Sequence, residues 1–138
     1  MNTRIILVSH FGLASGIKKA LEFIVGVQKE VYTIELDEEG IEAFKEKCRL
    51  LSKDSFEGTT IIVSDLPAGS PGATAFSLLN GTGDVRLISG MNLPLLLDLV
   101  LSSSVKTIDA LIPEAISSAK EAIQDYTIVT NEEVDDEF

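Results

Sequence analysis

The chain has 138 residues, 45% of them hydrophobic, which suffices for the core of one domain. Its formal net charge of −11 excludes non-specific binding to nucleic acid or anionic membranes, which would repel it, and favours basic protein partners. The single cysteine, Cys48, cannot form an internal disulfide, so we expect a reducing compartment and a packing role in a helix. No signal-peptide pattern opens the chain, and Asp or Pro interrupts the longest apolar runs, so we expect a soluble cytoplasmic protein.

Short apolar runs alternate with helical periods along the chain. The predicted strands cover 3–9, 31–36, 59–64 and 85–88, and the strand over 31–36 is expected at an edge of the sheet. The predicted helices are one that ends before Gly26, one with apolar positions from 41 to 51, a short one over 73–79, an apolar one over 93–101 and a helical period over 108–123. We expect the helix over 93–101 to be buried on two sides, and Pro113 to be the start of the last helix or a kink in it. A strand-like run follows at 126–129. We therefore predict one domain over 1–130 and a frayed acidic tail over 131–138.

The alternation predicts an α/β fold with a doubly wound, mostly parallel sheet and helices on both faces. In such a sheet the ligand site lies at the carboxyl ends of the strands, at the switch point where successive connections leave in opposite directions. His10, Asp65 and Gly90 each follow a predicted strand. A strand order of 2-1-3-4 would make the first and third strands neighbours and would place His10 beside Asp65.

His10 is the only histidine of the chain. A lone histidine after a strand more often caps or packs than reacts, but its position at a strand end favours a functional role. An aspartate on one ring nitrogen would fix the tautomer and leave the other nitrogen free as a nucleophile. Asp65 is the candidate for that aspartate, and the alternative for it is an Asx turn or a helix cap at the strand exit.

The segment Gly69-Ser70-Pro71 has two compatible interpretations. It starts a helix, with Ser70 as N-cap and Pro71 at the first helical position. The same geometry also offers exposed N–H groups, a hydroxyl and a glycine that permits close approach, which together suit a phosphoryl group. The sequence contains no Walker loop, GxGxxG fingerprint, GxSxG elbow or metal-binding cluster, so we expect neither metal nor organic cofactor.

At these strand ends the chain resembles a known family over nearly its whole length. The motifs are Val8-Ser9-His10 with Ala14-Ser15-Gly16, Ser64-Asp65-Leu66 with Gly69-Ser70-Pro71, and Ser89-Gly90-Met91-Asn92-Leu93-Pro94. They are similar to those of the mannose-type (mannose/fructose/sorbose family) IIA proteins of the bacterial phosphoenolpyruvate-dependent sugar phosphotransferase system.

The resemblance implies a phosphotransferase that needs no cofactor. His10 would accept a phosphoryl group from the phosphohistidine of the carrier HPr and pass it to a IIB domain. Asp65 would orient His10, and Ser70 with adjacent N–H groups, in the segment Gly69 to Pro71, would hold the phosphoryl oxygens. Contact with sugar and membrane would belong to the IIC and IID transporter subunits. The resemblance also implies a homodimer in which strand 126–129 crosses to the partner's sheet and helix 93–101 lies at the interface.

The chain departs from the family pattern at two places. Phe11 stands where a glycine usually follows the histidine, and the loop over 68–73 lacks a second glycine before Ser70 and the Phe-Asn that often follows the proline. Two alternatives stay open: the related phosphotransferase subunit that serves dihydroxyacetone kinase, and a non-catalytic regulatory module on the same fold. Gly69-Ser70-Pro71 and Gly90-Met91-Asn92 favour the sugar transporter family over the kinase subunit.

Overall fold

The computed structural model describes residues 2–53, 56–81 and 83–127. These residues form four strands and five helices: β1 (Thr3–His10), α1 (Leu13–Val25), β2 (Val31–Leu36), α2 (Ile41–Lys53), β3 (Thr59–Ser64), α3 (Ser70–Leu79), β4 (Asp84–Ser89), α4 (Leu93–Ser102) and α5 (Ile108–Glu121).

The strands form one parallel sheet in the order β2-β1-β3-β4, as predicted. β1 and β3 occupy the centre because both are continuous apolar runs, rich in β-branched residues, that are buried on both faces. Val8 of β1 pairs with Ser64 of β3, so the next residues along both strands emerge side by side at the carboxyl edge. The predicted edge position of β2 is confirmed among the described strands.

Helices cover both faces of the sheet. α1, α4 and α5 pack on the face that carries Ile5, Leu7 and Ile61, and α2 and α3 pack on the face that carries Ile6 and Ile62. Since α1 follows β1 on one face and α3 follows β3 on the other, the switch point lies between these two strands. α4 contacts both α1 and α5 and buries Leu95, Leu96 and Leu99, which confirms that it is covered on two sides.

The start of α3 differs from the prediction, and the start of α5 at Ile108 rules out one of the two predicted roles of Pro113. α3 begins at Ser70 rather than near residue 73, and Gly69 rather than Ser70 is its N-cap, without a side-chain capping bond. The early start is compatible with Pro71, whose missing N–H is tolerated in a first turn. Pro113 does not start α5 but lies inside it, because the hydroxyl of Thr107 accepts a hydrogen bond from the N–H of Ala110 and begins the helix at Ile108.

The end of the chain bears on two further predictions. Tyr126 and Thr127 lie in neither a helix nor a strand. The rest of the predicted strand over 126–129, and the acidic tail over 131–138, lie outside the described residues. None of the helices within 2–53, 56–81 and 83–127 combines the length and apolar character needed to cross a membrane.

Cys48 packs in the core, as predicted. It is buried on α2 among the apolar residues of the α2 and α3 face. Burial raises the pKa of its thiol to about 11, and the nearby charge of Arg49 offsets only part of this rise. The thiol is therefore protonated and unreactive at neutral pH.

Candidate functional site

His10 and Asp65 are hydrogen-bonded at the carboxyl edge of the two central strands. His10 is the last residue of β1, and Asp65 directly follows β3. The ring nitrogen Nδ1 of His10 lies 2.9 Å from Oδ2 of Asp65, and the backbone N–H of His10 donates to the same oxygen at 2.9 Å. The predicted proximity of the two side chains is confirmed.

The carboxylate of Asp65 is held by three donors. Besides the two groups of His10, the backbone N–H of Leu66 donates to Oδ1 at 3.0 Å. Burial by itself would raise the pKa of Asp65, but the hydrogen bonds from His10 and Leu66 and the charge interaction with His10 outweigh it, so the pKa lies below its ordinary value. Asp65 is therefore ionised at neutral pH and accepts hydrogen bonds only.

The ionised carboxylate defines the tautomer of His10. Because Asp65 can only accept, the ring proton of a neutral imidazole lies on Nδ1, and Nε2 keeps its lone pair. The side chain of His10 is 44% exposed, whereas that of Asp65 is 9% exposed. The pair thus presents an exposed imidazole beside a largely buried carboxylate, an arrangement suited to a nucleophile.

Gly69 lies against the free side of the imidazole. A methyl group on its Cα would lie 3.5 Å from Cε1 and 3.9 Å from Nε2 of His10. Its backbone has φ 130° and ψ 165°, a conformation that essentially only glycine adopts. The structure therefore brings the loop before α3 to the edge of the ring that carries Cε1 and Nε2.

Ser70 and Pro71 follow in the first turn of α3. Ser70 is exposed and Pro71 is buried. The turn is packed closely on β3, because a methyl group on Gly72 would come within 2.9 Å of Cβ of Ser64. The first N–H groups of a helix lack partners within it and carry a partial positive charge, so this helix start favours an anion near His10.

Two buried serines, to which the sequence analysis assigned no role, shape the two strand ends. The hydroxyl of Ser9 donates to the carbonyl of Phe11 at 3.0 Å and accepts from the N–H of Ala14 at 2.9 Å. The hydroxyl of Ser64 donates to the carbonyl of Leu66 at 3.0 Å. The signal for both was present in the sequence as a serine at the end of each apolar run.

Glu35 was also missed by the sequence analysis. Its Oε2 accepts hydrogen bonds from the backbone N–H and the hydroxyl of Ser15, at 2.8 and 2.7 Å. It thereby ties the end of β2 to the first turn of α1, where the helix dipole favours a carboxylate.

The residues that follow β4 form hydrogen bonds to the end of β3 and within and between the helices α4 and α5. The backbone N–H of Met91, which follows Gly90, donates to the carbonyl of Ser64 at 3.0 Å. Asn92 caps α4 by accepting from the N–H of Leu95, and its amide donates to the carbonyl of Ala119. In the part of the chain that the structure describes, no three His, Cys, Asp or Glu side chains are grouped so as to hold a metal ion.

Comparisons with known proteins identify the family of the chain. The family model EIIA-man, described as "PTS system fructose IIA component", matches residues 4–116. The sorbose-specific EIIA component of the phosphotransferase system (PTS) from Lacticaseibacillus casei is 25% identical over 118 residues, covering 85% of this chain and 86% of that protein.

Two solved structures share the fold. The phosphotransferase system component EIIA from Streptococcus agalactiae is 27% identical with a TM-score of 0.79, covering 91% of this chain and 98% of that chain. The mannose/sorbose-specific IIA subunit from Enterococcus faecalis has a TM-score of 0.81 over 94% of this chain and 98% of that chain, and at 21% identity it shows the fold alone. By the extent of the family match, this chain belongs to the EIIA-man family, the mannose/fructose/sorbose type of IIA component of the sugar phosphotransferase system, whose members are phosphotransfer proteins.

Proposed function

We propose that Nε2 of His10 accepts a phosphoryl group from phosphorylated HPr and passes it to a IIB domain for sugar uptake. One observation carries the proposal: His10 is hydrogen-bonded through Nδ1 to a buried carboxylate and turns an accessible ring edge toward Gly69. Family membership supports phosphotransfer in general, and the paired side chains supply the acceptor.

The transfer exchanges one phosphorus–nitrogen bond for another. The lone pair of Nε2 attacks phosphorus while the bond to the donor imidazole breaks, and the electron pair of that bond returns to the donor nitrogen. The proton on Nδ1 stays in its hydrogen bond with Asp65, whose negative charge stabilises the positive charge that the phosphorylated ring acquires. The same step in reverse delivers the phosphoryl group to the IIB domain.

The start of α3 would hold the phosphoryl oxygens. Gly69 leaves room beside the ring, and Ser70 offers a hydroxyl and an N–H in the first turn of the helix. Pro71 has no N–H, so it would contribute by fixing the shape of this turn. Such donors are needed because the chain carries a net charge of −11 and would otherwise repel a phosphoryl group.

Intact mass after incubation with phosphoenolpyruvate, enzyme I and HPr tests the proposal. We expect the mass of one added phosphoryl group on the wild-type chain and none on His10→Ala. Adding a IIB domain should remove the phosphoryl group, whereas removal only by the nucleotide-bearing subunit of dihydroxyacetone kinase would reassign the pathway. An unmodified wild-type chain would favour a non-catalytic regulatory module and contradict the proposal.

We propose in addition a single domain over 1–130, a cytoplasmic location and a homodimer. β4 has no strand on its outer side within the described residues, so this edge is open to pairing. Light scattering measures the assembly directly: a dimer mass supports the homodimer, and a monomer mass at micromolar concentration contradicts it.

A further inference from the structure

Exposed apolar side chains flank the reactive pair. Phe11 is 59% exposed, Leu13 is 49% exposed and Leu66 is 55% exposed. Phe11 directly follows His10 and Leu66 directly follows Asp65, and none of the three belongs to either core cluster. We call these three residues the apolar rim. All three lie within three positions of His10 or Asp65 in the sequence, so they offer apolar surface near the pair.

Phe11 has a backbone conformation that does not suit its side chain. Its φ is 51°, in the left-handed region that a bulky residue rarely adopts. Two hydrogen bonds hold it there: its N–H donates to the carbonyl of Leu36 at 2.8 Å, and its carbonyl accepts from the hydroxyl of Ser9. A glycine would satisfy the same bonds without strain, so the fold does not require a phenylalanine at this position.

The surface beside Phe11 is acidic. The bond to Leu36 places Phe11 next to the turn after β2, which carries Asp37, Glu38 and Glu39. Glu39 is paired with Lys47, while Glu38 is exposed. A partner that covers His10 would therefore contact the apolar rim and, on the side of β2, the negative charges of this turn. A partner surface that is apolar and bordered by Lys or Arg would be complementary to both.

We infer that Phe11 is a docking and specificity residue for the phosphoryl donor, a phosphohistidine protein with an apolar surface and basic residues beside its histidine. The inference rests on the proposed function, because the phosphorus atom on the donor imidazole must come within bonding distance of Nε2 of His10. A protein that does so necessarily covers the residue next to His10. A buried aromatic side chain at the centre of such a contact contributes strongly to affinity.

The test is the rate of transfer from phosphorylated HPr as a function of its concentration. For Phe11→Ala we expect the concentration of phospho-HPr at half-maximal rate to rise roughly 10-fold, with the maximal rate within about 2-fold of the wild-type value. Phe11→Leu should recover most of the loss because it restores apolar bulk. Phe11→Gly should match Phe11→Ala, which would assign the effect to the ring rather than to the backbone.

The matched control is Phe23→Ala. Phe23 is 93% exposed near the end of α1 that points away from the carboxyl edge, so its removal should leave both kinetic constants unchanged. A second readout is the dependence on salt. Because Asp37 and Glu38 would steer a basic partner, Asp37→Asn combined with Glu38→Gln should weaken the slowing that added salt causes in the wild-type chain.

The outcomes separate this inference from the proposed function. If the wild-type chain is phosphorylated and Phe11→Ala leaves the half-saturating concentration unchanged, the inference is wrong and the proposed function stands. If the wild-type chain is not phosphorylated, both fall. If Phe11→Ala instead changes the mass of the assembly in light scattering, Phe11 belongs to a contact between copies, which also overturns the inference.

Discussion

The ends of β1 and β3 have the same three-residue pattern with opposite exposure of the central side chain. Each has a buried serine, a polar residue and an exposed large apolar residue, and in each the serine hydroxyl donates to the carbonyl two residues later at 3.0 Å. At β1 the central side chain is His10, 44% exposed, and at β3 it is Asp65, 9% exposed.

The difference shows how one local turn serves two roles. The β3 end turns its polar group inward, where three N–H groups hold it, and the β1 end leaves its polar group at the surface with one nitrogen free. In the proposed function, Asp65 is the fixed anion and the exposed His10 is the acceptor. The two side chains meet in this way because β1 and β3 are adjacent and the helices that follow them, α1 and α3, lie on opposite faces of the sheet.

The largest expected effect comes from Asp65→Asn. The amide keeps the shape but loses the charge that fixes the tautomer of His10 and stabilises the phosphorylated ring, so phosphotransfer should slow by roughly 100-fold or more. The rate of phosphate uptake from phospho-HPr, followed by intact mass, measures this. Asp84→Asn is the control, since Asp84 lies at the amino end of β4 and pairs with Arg86. Equal rates in both variants would show that the buried carboxylate has no part in the transfer.

Gly69→Ala should come next. Its methyl group would lie 3.9 Å from Nε2, in the space that a phosphoryl group would occupy, so we expect transfer to slow by about 10-fold or more. The backbone strain should also lower the free energy of unfolding by about 1–3 kcal/mol. The rate is measured as above and the stability by urea unfolding.

Gly26→Ala is a matched control for this strain. Gly26 has φ 86° and ψ 175°, and a methyl group there would meet no atom within 4 Å. It should lose similar stability and keep the wild-type transfer rate. If both variants transfer at the wild-type rate, the loop before α3 does not form the phosphoryl site.

Substitution of the two exposed apolar residues Phe11 and Leu66 by glycine should lower the free energy of unfolding by different amounts. Phe11→Gly and Leu66→Gly remove side chains of similar exposure, but only Phe11 has a positive φ. Relief of that strain should make Phe11→Gly less destabilising than Leu66→Gly by about 1 kcal/mol. Urea unfolding of both variants at neutral pH measures the difference, and equal losses would mean that the Phe11 conformation carries no strain.

The smallest expected effect is on acid stability. Because the pKa of Asp65 in the folded chain is below the ordinary 3.8, its ionised carboxylate stabilises the fold above that pH. This stabilisation is lost as the pH falls from 3.8 through the lowered pKa. The difference in unfolding free energy between the wild-type chain and Asp65→Asn should therefore shrink below about pH 4. A difference that stays constant down to about pH 2 would contradict the lowered pKa.

The sheet order and the proximity of His10 to Asp65 could be predicted because they follow from general rules. Continuous apolar strands belong in the centre of a parallel sheet, and the switch point then brings the ends of the first and third strands together. Neither inference needs the details of a loop.

The starts of helices and the conformations of turns were harder to predict, because contacts with residues distant in sequence determine them. The early start of α3 accompanies close packing between Gly72 and Ser64, and Pro113 is tolerated inside a helix whose inner face is buried against α4. The conformation of Phe11 depends on the carbonyl of Leu36, on another strand. The sequence marked Phe11 as a departure from the family, but it could not show what holds the residue in place.

The most direct measurement of the central claim is nitrogen-15 NMR of the chain labelled at histidine, in which His10 is the only source of ring signals. Before phosphorylation we expect the proton on Nδ1 and a free lone pair on Nε2, and after incubation with phospho-HPr we expect phosphorus coupling at Nε2. Coupling at Nδ1, or added phosphate without any change in these signals, would contradict the account.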